Sequence, residues 1–85
     1  MKQTTFTIQD ELGIHARPAG LLVKEAVKFT SAITIGKGDK KVDAKKIMGV
    51  MGLGAKHNDE IVIEATGSDE DSAIAALEAF LKDNL

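Results

Sequence analysis

Seven residues, Gly13-Ile14-His15-Ala16-Arg17-Pro18-Ala19, hold the side chains best placed for chemistry. An imidazole stands two residues before a guanidinium, and a proline follows directly. Pro18 lacks an N–H and fixes φ near the helical value, which suits the first helical position. Residues Ala19 to Phe29 then carry a helical apolar pattern. A helix starting here leaves the amides of Ala16 and Arg17, just after His15, without partners. Such a terminus carries partial positive charge and binds anions. Arg17 adds a permanent charge and a planar fork of donors. The expected site is a phosphate cradle around an imidazole.

That cradle acts on His15. Positive potential disfavours imidazolium, so it favours the neutral ring, which is the nucleophile. If the ring takes a phosphoryl group, the local charge reverses. The new anion meets free amides and a guanidinium, at about 1–3 kcal/mol for each charge-assisted bond. The group is then held and still transferable. A lone histidine beside a turn is more often structural. The Arg17-Pro18 pair at the helix start is what gives the chemical reading its weight.

The elements that must position this site follow from periodicity. Thr4 to Ile8 alternates polar and apolar residues, as a half-buried strand does. Asp10 to Gly13 is a turn leading into the site. In the first helix Ala19, Leu22, Val23, Ala26 and Phe29 share one face, with Gly20, Lys24 and Val27 opposite. Ala32 to Ile35 and Lys40 to Ala44 read as strands of a hairpin around Gly36 to Asp39. Lys40 and Lys41 suit an exposed edge. From Lys46 to Leu53 a short helix splits its apolar residues. Val50 and Leu53 lie on one arc, and Ile47, Met48 and Met51 on another. One sheet cannot bury both arcs, so the methionine arc is expected to be exposed. Methionine adapts to differently shaped partners. His57 falls in a loop and is expected at the surface. Glu60 to Thr66 is a strand with Ile61, Ile63 and Ala65 inward. Ser68 resembles an N-cap with Asp71 as its capping-box acid. The last helix has Ala73, Ile74, Leu77, Phe80 and Leu81 on its stripe.

Composition limits the alternatives. Eighty-five residues, 44% of them apolar, suffice for one small core that buries roughly 60–65% of the extended surface. No linker, repeat or low-complexity tract divides the chain, so residues 1–85 are expected to form a single domain. There is no cysteine, which excludes disulfides and cysteine metal sites. No metal or cofactor is called for. A net charge of −2, with no Tyr or Trp, argues against nucleic acid. No signal peptide or long apolar run is visible, so the expected protein is cytoplasmic and not membrane-inserted. The element order βαββαβα fits an α+β fold whose helices share one sheet face.

Two segments carry a resemblance. Gly-Ile-His-Ala-Arg-Pro-Ala at 13–19 and Lys-Lys-Ile-Met-Gly-Val-Met-Gly-Leu-Gly at 45–54 resemble the HPr family. These are the phosphocarriers of the bacterial phosphoenolpyruvate-dependent sugar phosphotransferase system. The two segments lie at the family's usual separation, and the likeness spans the chain. It implies an open-faced β-sandwich with a four-stranded antiparallel sheet in the order 1-4-2-3, under three helices. It also implies phosphorylation of His15 on Nδ1, with Arg17 as the stabilising partner. Enzyme I would donate the group, and the A units of enzyme II permeases would receive it. The protein would be a carrier, not a turnover enzyme, and a monomer. Gly20, Lys24, Val27, Ile47, Met48 and Met51 would form the docking face. Where many relatives carry a regulatory serine before Ile-Met-Gly, this chain has Lys46. No serine switch is expected there, and the lysine would favour acidic partner surfaces. Two other readings keep the same fold: a nitrogen-branch phosphocarrier, and a regulatory module that binds without transferring phosphate. The pairing of His15 with Arg17 speaks against the second.

Overall fold

Strict alternation builds the sheet. In β1 (Lys2–Thr7), Thr4 and Phe6 turn toward the helices while Gln3, Thr5 and Thr7 are exposed. In β2 (Ala32–Lys37), Ile33 and Ile35 are buried, and in β4 (Glu60–Thr66) so are Ile61, Ile63 and Ala65. The short strand β3 (Lys40–Asp43) completes the hairpin with β2. The computed structural model describes every residue from Met1 to Leu85. It has one antiparallel sheet in the order β1-β4-β2-β3. Phe6 pairs with Ile61, and Ile35 lies opposite both Ile63 and Val42. The register thus puts every large apolar strand residue except Val62 on the helix side.

Helices α1 (Ala16–Ala26), α2 (Ile47–Gly52) and α3 (Glu70–Asn84) cover that side. Leu22 and Ala26 of α1, Val50 of α2, and Ala73, Leu77 and Leu81 of α3 are fully buried there. Burying one Leu or Ile completely contributes about 1.5–3 kcal/mol. The opposite face is polar apart from Val62, Ala32 and Gly36, and on it Lys41 pairs with Glu64 at 2.7 Å.

Several boundaries differ from expectation: β1 covers Lys2–Thr7 and not Thr4 to Ile8, β2 runs on from Ile35 to Lys37, and the helix ends shift too. Helix α1 begins at Ala16, with Pro18 as its third residue and not its first. The His15 carbonyl accepts the Ala19 N–H at 2.9 Å and closes the first turn over residues 16–18. Proline fits anywhere in that turn, because none of its amides has a helical acceptor. The same helix ends at Ala26, and the chain passes through turns that still lay Phe29 on the core. Finally, Ser68 caps nothing. Asp69 occupies the N-cap position of α3, and its side chain is used elsewhere.

That carboxylate ties the start of α3 to the start of β2. It accepts the Thr30 N–H at 2.9 Å, the Ser31 N–H at 3.0 Å and the Ser31 hydroxyl. The Ser31 hydroxyl, with the main-chain N–H of Thr30, holds the Asp69 carboxyl down to about 2. Asp59, bound by Lys37, and Glu70, which accepts the Gly67 N–H, are lowered in the same direction. An unfolded aspartate ionises near 3.9. The stabilisation from Asp69 is therefore complete above about pH 4 and is lost as pH falls through about 2. Asp69→Asn should lower the melting temperature at pH 7. The gap from the parent should close between about pH 4 and pH 2. Thermal unfolding monitored by circular dichroism across that range checks it. A gap that stays constant with pH would remove Asp69 from the acid response.

Candidate functional site

The loop from Gly13 to His15 is held by backbone geometry that only glycine provides. Gly13 has φ +68°, and a Cβ there would run into the carbonyl of Ala55. That same carbonyl accepts the Ile14 N–H at 3.0 Å, which buries Ile14 against the core. The next residue, His15, is the N-cap of α1 with extended backbone (φ −99°, ψ −174°). Its own N–H donates to the Gly13 carbonyl at 3.1 Å. The ring makes no hydrogen bond within the protein and is half-buried at the surface.

Ala16 and Arg17 follow, both exposed. Neither of their N–H groups donates to another group of the protein. Pro18 has no N–H, and that of Ala19 is already taken by His15. Two free amides therefore remain at the positive end of an eleven-residue helix, directly after the imidazole. The Arg17 side chain forms no ion pair and lines the same shallow pocket as His15, about 220 Å³ in volume. No acid sits in the first turn of α1 to compete for the amides. The arrangement can accept a tetrahedral anion on the ring and neutralise it at once.

The remaining expected docking residues lie in or just after α1 and in or just before α2, two helices that pack on each other. Val27 is 55% exposed, Met48 78%, Ile47 42% and Met51 39%. Val50 and Leu53 are buried, so α2 is divided into the two arcs expected of it. Lys24 and Lys46 are exposed and form no ion pair, whereas Lys2, Lys28, Lys37 and Lys41 each meet a carboxylate. Gly20 faces α2: a Cβ there would lie 3.7 Å from Ile47 Cδ1, an ordinary contact. The packing of α1 on α2 therefore does not itself demand glycine. His57 is exposed and belongs to no cluster of metal-ligating side chains, with Nδ1 3.1 Å from the Gln9 carbonyl.

Sequence reasoning missed four residues near the ring. Leu21 (41% exposed) lines the pocket with His15, and Leu12 (73% exposed) stands in the turn that precedes it. Leu21 lies off the Ala19/Leu22/Ala26 stripe, and that offset was the available signal. Asp10 and Asp83 line the pocket from outside α1. Asp10 comes with the turn that leads into the site, and only the fold brings Asp83 there.

Fold and site define a class: small open-faced β-sandwiches that present a histidine at a helix N-terminus. Comparison with known proteins narrows it. Residues 2–83 match the family described as PTS HPr component phosphorylation site. The phosphocarrier protein HPr of Mycoplasma genitalium is 44% identical over 85 residues, covering 99% of this chain and 97% of the relative. A solved structure of a Mycoplasma histidine-containing phosphocarrier protein superposes with a TM-score of 0.94 at 44% identity, covering 96% of this chain and 93% of that one. HPr from Thermoanaerobacter tengcongensis gives 0.93 at 44% identity, covering 98% and 93%. The chain belongs to the HPr family of phosphocarrier proteins.

Proposed function

We propose that this protein carries a phosphoryl group on His15 Nδ1, from phosphorylated enzyme I to the A units of enzyme II sugar permeases. One observation supports the reading above all: an unbonded surface imidazole followed directly by two unpaired amides. The Nδ1 lone pair attacks phosphorus as the bond to the donor breaks. The electron pair of that bond leaves with the donor. The reverse exchange delivers the group to the permease. Positioning and charge do most of the work, because the transferring group needs alignment and neutralisation more than covalent help.

Arg17 acts on the charge. Its guanidinium gives the phosphoryl oxygens a permanent cation beside the two amides. Val27, Ile47, Met48 and Met51 form the apolar floor on which both partners dock. Gly20 and Lys24 lie beside it, and Lys46 steers acidic surfaces toward it. A lysine cannot accept a phosphoryl group as serine does, so no serine switch operates at position 46. The protein acts as a monomer in the cytoplasm.

The test is direct. Incubation with enzyme I and phosphoenolpyruvate should label the protein with a phosphoryl group that is labile to acid and survives base, as a phosphoramidate is. An acid-stable label would contradict the assignment. Arg17→Ala should keep the fold, because the side chain forms no ion pair, and should slow transfer about 10- to 100-fold. Rapid-quench kinetics with enzyme I reads this out, and an unchanged rate would remove Arg17 from the site.

A further inference from the structure

The pocket beside His15 contains more negative charge than a phosphate cradle needs. Asp10 and Asp83 line it together with His15 and Arg17. Neither carboxylate forms an ion pair, and neither does Arg17. Asp83 also breaks a local rule. It sits in the last turn of α3, where the helix end is already negative and an acid is unfavourable. Lys82, the basic residue of that turn, does not line the pocket. Such misplaced charge tends to mark function rather than folding. This negative helix end is fixed to the segment that leads into the site. The main-chain oxygen of Leu85 accepts the N–H groups of Gln9 and Asp10, at 2.5 and 2.8 Å. The positive start of α1 and the negative end of α3 therefore face the same small space.

We propose that Asp83, together with Asp10, sets the group-transfer potential of the phosphorylated imidazole. This rests on the reading that His15 carries the phosphoryl group. Amides and guanidinium stabilise the phosphoryl dianion. Two carboxylates in the same pocket repel it and compete for Arg17. The bound group is then held less tightly than the amides and Arg17 alone would hold it, and stays transferable to the next acceptor. The exchange breaks the oxygen–phosphorus bond of phosphoenolpyruvate and forms the nitrogen–phosphorus bond at His15. The ring releases the proton that enolpyruvate gains as it becomes pyruvate. Charge and atoms balance, so the carboxylates act only on the relative energies of the two ends.

The experiment measures that equilibrium. The protein is mixed with a catalytic amount of enzyme I and fixed phosphoenolpyruvate and pyruvate. The phosphorylated fraction is read by phosphorus NMR. Asp83→Asn should raise the equilibrium constant about threefold at about 20 mM salt. Asp10→Asn should act in the same direction, since its side-chain oxygen can still accept the Leu12 N–H, now 2.8 Å from Asp10 Oδ1. Both shifts should fall below about 1.5-fold at about 0.5 M salt, where the charges are screened. Asp39→Asn, in the exposed β2–β3 turn, should match the parent throughout. Weaker docking would change how fast equilibrium is reached and not where it lies. An equilibrium constant unchanged or lowered in Asp83→Asn at low salt, or a shift that survives high salt, overturns the proposal. If the unaltered protein takes no phosphoryl group at all, the carrier reading itself falls.

Discussion

His15→Ala is expected to abolish acid-labile phosphorylation while leaving the protein folded. Both halves follow from the structure. The ring makes no hydrogen bond within the protein, and only its main-chain atoms hold the loop: N–H to Gly13, C=O to Ala19. Alanine keeps both of those bonds. The half-buried N-cap position also loses little, because this histidine provides no side-chain cap. The melting temperature should therefore move by no more than about 2–4 °C. Transfer is different. No other imidazole lies in the pocket, whose remaining polar groups are carboxylates, a guanidinium and an amide. Without the imidazole nitrogen no acid-labile phosphoramidate can form, and a carboxylate could give only an acyl phosphate, which differs in its lability. Incorporation from enzyme I should drop below detection, a loss on the order of 10⁴ or more. Gel-based phosphorylation beside a thermal melt measures both. Residual labelling of the Ala variant would place the acceptor elsewhere in the chain.

Much of this site could be read in the letters, because its parts are neighbours in sequence. His15, Ala16 and Arg17 are consecutive, and helix-end physics predicts what their amides and charges do. The strands were legible for the same reason. Ile33 and Ile35, or Ile61, Ile63 and Ala65, alternate with polar or smaller residues, and the pleat does the rest. The two arcs of α2 emerged from a helical wheel alone.

What was not legible depends on distant contacts. Asp69 looks like an ordinary first-turn acid, and Ser68 looks like its cap. The Thr30 and Ser31 amides decide otherwise, and they come from another part of the chain. Helix α1 starts two residues before Pro18 because the His15 carbonyl finds Ala19, a choice among equally good proline positions. Asp10 and Asp83 meet only after α3 has docked beside the loop. Strand order was in the same category. It came from family likeness, since local patterning says which face a strand buries and not which strand lies next to it.

Gly13→Ala should show how closely the site depends on one backbone position. The residue adopts φ +68°, where an L side chain costs about 1–3 kcal/mol. The added Cβ also meets the Ala55 carbonyl and lies 2.7 Å from the Lys56 Cα. Both obstacles are backbone, so neither can rotate aside, and crowding of that kind costs about 1–3 kcal/mol more. A protein of this size has only about 5–10 kcal/mol of stability in total. Loss of about 2–6 kcal/mol should lower the melting temperature by at least roughly 10 °C. The cost will not be confined to unfolding. The Ala55 carbonyl is the acceptor for the Ile14 N–H, and the Gly13 carbonyl accepts that of His15. Any movement that relieves the clash moves both anchors of the imidazole. At temperatures where Gly13→Ala is still folded, transfer from enzyme I should be slowed at least 10-fold, because misplacement of about 1 Å is costly in an in-line exchange. Urea titration fixes the folded range, and rapid-quench kinetics within it gives the rate. A variant that melts within about 2 °C of the parent and transfers normally would mean that Ala55 does not hold the loop.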